Sequence, residues 1–302
     1  MNDLDQLNNR FSIPGVVKIE AGAGGLPRVA VTSPLADAHV YLHGAHVTHF
    51  AARGQKPLLF LSAESHFAPD KPIRGGVPIC FPWFGPKAGD TAAPMHGFAR
   101  LLSWEIARII AQPNGAVTID LELKSSEATR ARWPFDFHAL YQIKFGKNLE
   151  LKLRVTNQAA QSFSFEEAMH TYLAVGDAKT AVIEGLAGRR FTDKVDGAKE
   201  KTQSGAITIT GETDRVYLDT TDAVTVNDPA LSRKLIVRKD GSSSTVVWNP
   251  WIAKAKAMAD FGDDEWPRML CIETANVGAN AVNLAPGATH EMSAVVESTS
   301  QQ

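Results

Sequence analysis

Alternation of apolar and polar residues is the most regular signal along the chain. Thr118-Ile119-Asp120-Leu121-Glu122-Leu123-Lys124 and Leu149-Glu150-Leu151-Lys152-Leu153-Arg154-Val155 place apolar side chains at every second position. That period buries one face of an antiparallel sheet and leaves the other wet. Between such runs stand Pro113-Asn114-Gly115, Gly146-Lys147-Asn148 and Lys239-Asp240-Gly241-Ser242, whose residues tolerate positive φ and read as hairpin tips. Further strands are expected at 16–20, 28–32, 39–42, 58–61, 137–144, 207–209, 223–226, 235–238 and 294–297. Helical signals are few. Residues 125–132 offer an N-cap and stop before Pro134, and 251–260 follow Pro250. Two short helices could not cover both faces of a parallel sheet. The expectation is an all-β fold, a large antiparallel β-sandwich with a few short helices, as a single domain over residues 1–302.

Composition narrows the function classes. A chain of 302 residues with 44% hydrophobic content can bury a large core. Lys and Arg total 31 against 33 Asp and Glu, a net charge of −2, so no nucleic-acid partner is expected. A bound phosphate would have to meet a local cluster of basic residues. Cys80 and Cys271 sit in apolar runs, as buried thiols of a reducing compartment do. The first fifteen residues are polar, so no signal peptide is expected, and no stretch approaches the ~18 apolar residues of a membrane span. A cytoplasmic protein without a membrane partner, and a monomer, are expected.

Four segments break the alternation and crowd polar groups against glycine, proline and aromatic residues, as functional loops on a rigid sheet do. In the segment Pro72–Pro86, Arg74 suits a phosphate or a sugar hydroxyl, though taken alone an arginine capping a loop carbonyl is the plainer reading. In Met95-His96-Gly97-Phe98-Ala99-Arg100, His96 stands four residues before a second arginine, and a satisfied structural histidine is the plainer reading. In Glu166-Glu167-Ala168-Met169-His170-Thr171-Tyr172-Leu173, a strand pattern carries His170, a proton donor or a hydrogen-bonded core histidine. Glu166 and Glu167 point to opposite faces and form no dyad. In Cys271-Ile272-Glu273-Thr274-Ala275-Asn276-Val277, Glu273 interrupts an apolar run. A carboxylate there is costly unless paired or working, so it is a general-base candidate or half of an ion pair. Trp248-Asn249-Pro250-Trp251 could supply rings for a sugar's apolar face, or simply core packing. No histidine pair at i, i+4 with a glutamate, no CxxC, no phosphate-binding glycine motif and no GxSxG is present. Chemistry without metal or cofactor is therefore expected.

Taken in order, the segments resemble the aldose 1-epimerase (galactose mutarotase-like) superfamily, and within it the hexose-6-phosphate mutarotase branch. The matching text is RGGVPICFPWFG at Arg74–Gly85, HGFAR at His96–Arg100, EEAMHTYL at Glu166–Leu173, ETDRVY at Glu212–Tyr217, VVWNPW at Val246–Trp251 and CIETANV at Cys271–Val277. The resemblance extends from about the second strand to Gly287. It implies a β-supersandwich with a shallow cleft on one sheet, no metal and no cofactor, and a small-molecule sugar phosphate as partner. It implies His170 as general acid, Glu273 as general base, Arg74 and Arg100 as receivers of the 6-phosphate, and Asp214 as a carboxylate for sugar hydroxyls, with His96 beside them hydrogen-bonding the ligand. Met95 departs from the glutamine common at that position, which removes a polar contact to the sugar.

Anomer interconversion needs a base for the anomeric hydroxyl proton and an acid for the ring oxygen, both working in either direction. An ionised carboxylate and a protonated imidazole would suit, each favouring the other's charge. Folding is then expected to bring His170 and Glu273 to opposing edges of one hexose-sized hollow. The rivals are an epimerase of unphosphorylated hexoses, which needs no arginine pair, a glycosidase, which needs two carboxylates about 5–10 Å apart, and a noncatalytic sugar- or sugar-phosphate-binding sandwich. The acidic segment Asp260-Phe261-Gly262-Asp263-Asp264-Glu265-Trp266 reads as a lid, a solvated loop or a partner surface.

Overall fold

The computed structural model describes residues 4–300, so the first three and last two positions of the expected 1–302 unit lie outside the described residues. Two sheets carry most of the β structure. The larger has nine strands in the spatial order Ile207–Thr208, Val182–Glu184, Val224–Asp228, Arg233–Asp240, Thr289–Ser300, Leu149–Asn157, Phe137–Phe145, Val117–Lys124, Glu105–Ala111. The smaller has eight: β1 (Ile79–Cys80), β2 (Glu167–Met169), β3 (Tyr172–Ala174), β4 (Arg190–Asp193), β5 (Lys199–Thr202), β6 (Thr213–Leu218), β7 (Ser244–Asn249) and β8 (Met269–Asn276). Its order is β5-β4-β6-β7-β8-β2-β1, with β3 also paired to β8. A four-stranded sheet (Val17–Ala21, Pro27–Thr32, Ala36–Tyr41, His46–Ala52) and the pair Phe163–Phe165 with Val282–Leu284 complete the β structure. Every ladder is antiparallel, so the chain forms the antiparallel β architecture that its alternation calls for.

The alternation acts as expected. Leu149, Leu151, Leu153 and Val155 are buried, each contributing roughly 1.5–3 kcal/mol relative to exposure. The intervening Glu150, Lys152 and Arg154 reach the other face and pair with Lys144 and Glu291. The same parity splits the eight-stranded sheet. Val247 of β7 and Leu270 and Ile272 of β8 join the main core, so their neighbours Val246, Trp248, Cys271 and Glu273 face away from it. Cys80 and Cys271 are buried free thiols.

Several local expectations need correction. Residues 113–115 and 146–148 do join neighbouring strands, but Lys239-Asp240-Gly241-Ser242 is no hairpin tip. Arg233–Asp240 belongs to the nine-stranded sheet and β7 to the eight-stranded one, so this turn carries the chain between sheets. Gly241 has φ +65°, and a Cβ there would lie 2.0 Å from the Glu291 carbonyl oxygen. Locally such a reversal has the same chemistry as a hairpin. Residues 58–61 form only isolated bridges, Leu59 to Leu173 and Leu61 to Gly75. The N-terminal helix α1 (Leu4–Phe11) was not expected, yet its Leu4, Leu7 and Phe11 pack against the core at helical spacing. The expected helix at 125–132 shortens to α2 (Glu127–Arg130), closed by a capping box between Ser126 and Thr129. The one at 251–260 shortens to α3 (Trp251–Ala257).

Candidate functional site

The face of the eight-stranded sheet turned away from the main core carries a cleft of about 400 Å³. Two glycine-containing loops build its wall. Gly76 has φ +61°, and a Cβ on it would sit 2.2 Å from the Val47 carbonyl oxygen, so only glycine lets this loop pack so tightly. The loop is stitched to the run that bears the site: Tyr172 N–H donates to Gly76 O (2.9 Å) and His170 N–H to Pro78 O (3.0 Å). These bonds set Arg74 beside Tyr172. In the second loop His96 has φ +62°, and a Cβ on Gly97 would meet Phe81 O at 2.0 Å.

His170 does not lie within a strand, as its sequence pattern suggests. It occupies a break between β2 and β3, both of which pair with β8. Thr171 N–H donates to Met169 O at 2.8 Å, and this tight turn frees His170 from the ladder. Its ring stacks on Tyr172, with centroids 4.8 Å apart and planes at 12°, and meets Trp248 edge-on at 6.0 Å. Glu273 projects from the neighbouring β8 into the same floor. His170 Nε2 and Glu273 Oε1 are 3.3 Å apart, with side chains 9% and 1% exposed. The two groups therefore touch, where opposing edges of a hollow were expected.

Burial also reverses the expected charges. It drives the His170 imidazole well below its ordinary value, with help from His96 and Arg100. It drives the Glu273 carboxyl well above its ordinary value, with help from the charge of Asp214. Both shifts favour uncharged groups, so without a ligand the pair holds one proton in its neutral arrangement. His170 Nδ1 and Glu273 Oε2 are buried and have no hydrogen-bond partner among the described residues.

The other anticipated residues line the same cleft. His96 Nδ1 accepts from Gly85 N–H (3.2 Å), so the neutral ring carries its proton on Nε2, a donor for a ligand. Burial and Arg100 push its pKa down to about 3. Burial pushes Asp214 upward, against Lys254 and Lys194. Arg74 and Arg100 differ in kind. Arg74 is already engaged, paired with Asp260 at 3.1 Å and donating to the Tyr172 hydroxyl at 3.0 Å. Arg100, 7% exposed, donates among the described residues only to the Met95 carbonyl at 2.7 Å, and its buried Nε has no partner among them. Met95, 49% exposed, stands at the rim. Trp248 lines the cleft, whereas Trp251 packs on Trp266, with centroids 4.2 Å apart.

Sequence reasoning missed Tyr172, Lys194, Lys254 and Met258 as lining residues. The helical stretch bearing Lys254 was visible, but nothing local aimed it at the cleft. The acidic segment 260–266 is fastened down. Asp260 holds Arg74, and Glu265 accepts from Ser62 Oγ (2.6 Å), Ala63 N–H (3.0 Å) and Gly262 N–H (3.0 Å). Phe261 and Trp266 pack with Tyr172 and Trp248 beneath the site. Among the described residues no group of three or more His, Cys, Asp or Glu could hold a metal ion, and no helix is long and apolar enough to cross a membrane.

A family model described as aldose 1-epimerase matches residues 27–297. A Salmonella typhimurium protein named "Putative glucose-6-phosphate 1-epimerase" is 39% identical over 274 residues, covering 89% of this chain and 91% of its own. An Escherichia coli K12 protein of the same name is 39% identical over 251 residues, 83% of either chain. A crystal structure of a "putative mutarotase" from Salmonella typhimurium superimposes with a TM-score of 0.90 at 33% identity, covering 96% of both chains.

Proposed function

The chain belongs to the aldose 1-epimerase family, and from that membership we propose that it is an isomerase interconverting the α and β anomers of hexose 6-phosphates, with glucose 6-phosphate as substrate. The observation that carries this reading is the joint presence, in one cleft, of a touching imidazole–carboxyl pair and a buried arginine with no acidic partner among the described residues. The pair suits proton transfer at adjacent oxygens of a sugar ring. The arginine suits an anionic group at the sugar's far end.

Ring opening then runs as one exchange. His170 gives its Nε2 proton to the ring oxygen while Glu273 takes the proton of the anomeric hydroxyl; the C1–ring-oxygen bond breaks and C1 becomes an aldehyde. Transfer of the pair's one proton from Glu273 to His170 as substrate binds sets up the imidazolium and carboxylate, and ring opening returns them to imidazole and carboxylic acid, so proton count and charge balance. The end state is the neutral arrangement that burial favours. Rotation about C1–C2 and the reverse transfers close the ring with the opposite configuration. In the free enzyme the 3.3 Å separation lets the single proton return directly between the two groups. Arg100, Arg74, His96 and Asp214 position the substrate, and their binding energy goes into orientation.

Freshly dissolved α-glucose 6-phosphate, followed by polarimetry, tests the reading. Mutarotation accelerated in proportion to enzyme, and more efficiently than that of α-glucose, is expected. Acceleration of glucose alone would favour an epimerase of unphosphorylated hexoses, and binding without acceleration a noncatalytic sandwich.

A further inference from the structure

The cleft contains four cationic side chains, and their charges are not equally available. Arg74 is paired with Asp260 and Lys254 with Glu212 at 2.8 Å. Arg100 and Lys194 also line the cleft, and neither has an acidic partner among the described residues. Arg100 is the expected anion ligand. Lys194 is carried by no motif of the sequence and is held in place by an unrelated-looking hairpin at the sheet edge.

That hairpin, β4 and β5, is braced by charge. Lys201 Nζ bridges Asp193 and Asp196, both at 2.8 Å, and Lys199 pairs with Asp196 at 2.9 Å. Asp193 also caps the intervening turn by accepting from Val195 N–H. Two of the hairpin's three lysines thus share its two carboxylates, and the one left over is Lys194. Register explains its direction. Asp193 pairs with Arg215 of β6, so the next residue of β4's turn stands beside Asp214, whose own partner on β7 is Trp248. Lys194 is therefore presented at the end of the cross-strand row Asp214, Trp248 and Cys271, and Glu273 lies two residues beyond Cys271 on the same face of β8. Exposed Lys194 lines the cleft together with Asp214 and His96, and its charge bears on both.

We propose that Lys194 is a specificity-determining residue, the unpaired cation that together with Arg100 selects an anionic sugar over its neutral counterpart. The inference rests on the reading of the cleft as a hexose-phosphate site and adds to it a residue outside every motif that suggested it. An exposed lysine on a flexible stem can follow the ligand's phosphate, whereas a guanidinium fixed by Met95 cannot. The braces on Asp193 and Asp196 keep neighbouring carboxylates from neutralising it.

The test compares wild type with Lys194→Ala, Lys194→Glu and Lys194→Arg on glucose 6-phosphate and on glucose, with inorganic phosphate as competing inhibitor. Lys194→Ala is expected to raise KM for glucose 6-phosphate and Ki for phosphate by roughly tenfold, the scale of one charge-assisted contact. Lys194→Glu should do so more strongly, and Lys194→Arg should restore both. KM for glucose and kcat on either sugar should move by less than about twofold, because uniform binding of the anion alone is lost. The salt dependence of kcat/KM for glucose 6-phosphate should also flatten in Lys194→Ala. Lys199→Ala, on the same hairpin, is the control for a purely structural effect. Unchanged KM and Ki in an active Lys194→Ala enzyme would overturn the inference, as would an equal rise in KM for glucose. A wild-type enzyme inactive on glucose 6-phosphate would instead overturn the proposed function itself.

Discussion

His170 Nε2 lies 3.3 Å from Glu273 Oε1 on the floor of the cleft, and the two groups hold a single proton between them in an environment that disfavours charge on either. Their proximity makes them one titrating unit. His170→Asn and Glu273→Gln should each lower kcat by about 10²–10⁴-fold, and the double variant should lose little more than either single one, because removing one member already disables the exchange. Rates from polarimetry on folded proteins check this. Losses that multiply would mean the residues act independently.

The pH dependence has a definite sign. Gaining a second proton would leave an imidazolium beside a neutral carboxyl, and losing the only one would leave a lone buried carboxylate. Burial opposes both, pushing the imidazole well below 6.5 and the carboxyl well above 4.5. The kcat for glucose 6-phosphate should therefore stay level as pH rises through 6.5. A kcat falling with a midpoint near 6.5 would show an imidazolium of ordinary pKa as the working acid. Saturating substrate is needed, because the phosphate group itself titrates near ~6.

The two arginines should separate. Arg100→Ala removes a cation that no acid balances, so KM for glucose 6-phosphate should rise about tenfold or more with little change for glucose. Arg74 also braces the Tyr172 hydroxyl, and Tyr172 stacks on His170. Arg74→Ala should accordingly lower kcat on both sugars in addition to raising KM for the phosphorylated one. Kinetics on the sugar pair distinguishes these patterns, and identical behaviour of the two variants would contradict the division.

A partly buried pair beneath the site governs alkaline stability. Glu167, fully buried, accepts from Asn276 Nδ2 at 2.9 Å and meets His290 Nε2 at 3.0 Å, tying β2 and β8 to the nine-stranded sheet. The Glu167 side chain raises the His290 pKa above 6.5. A raised imidazole pKa gives stability that is fully present below 6.5 and lost as pH rises through the folded-state value. His290→Gln should thus cost about 1–3 kcal/mol at about pH 6 and less at about pH 9. Thermal unfolding of the two proteins across that range is the check, and a pH-independent difference would contradict it.

Much of this was legible in the sequence because sheet alternation and its interruptions are local. Leu149–Val155 announce a two-faced strand, and Glu273 inside an apolar run announces a carboxyl under tension with its surroundings. The distances were not legible, because they depend on register between distant strands. The contact of His170 with Glu273 requires both the break at His170–Thr171 and the pairing of β2 and β3 with β8. The engagement of Arg74 by Asp260, and the placing of Lys194 beside Asp214, likewise follow from tertiary packing that no local pattern encodes. The turn at Lys239–Ser242 misled because glycine chemistry reports a reversal and not which sheet receives the chain.

The most direct measurement is magnetisation exchange between the α and β anomers of glucose 6-phosphate, read by NMR for the wild type and for Glu273→Gln. The account predicts rapid enzyme-dependent exchange for the wild type and a loss of about 10²–10⁴-fold for the variant, with phosphate affinity retained. Exchange at the wild-type rate in a folded Glu273→Gln protein would contradict it.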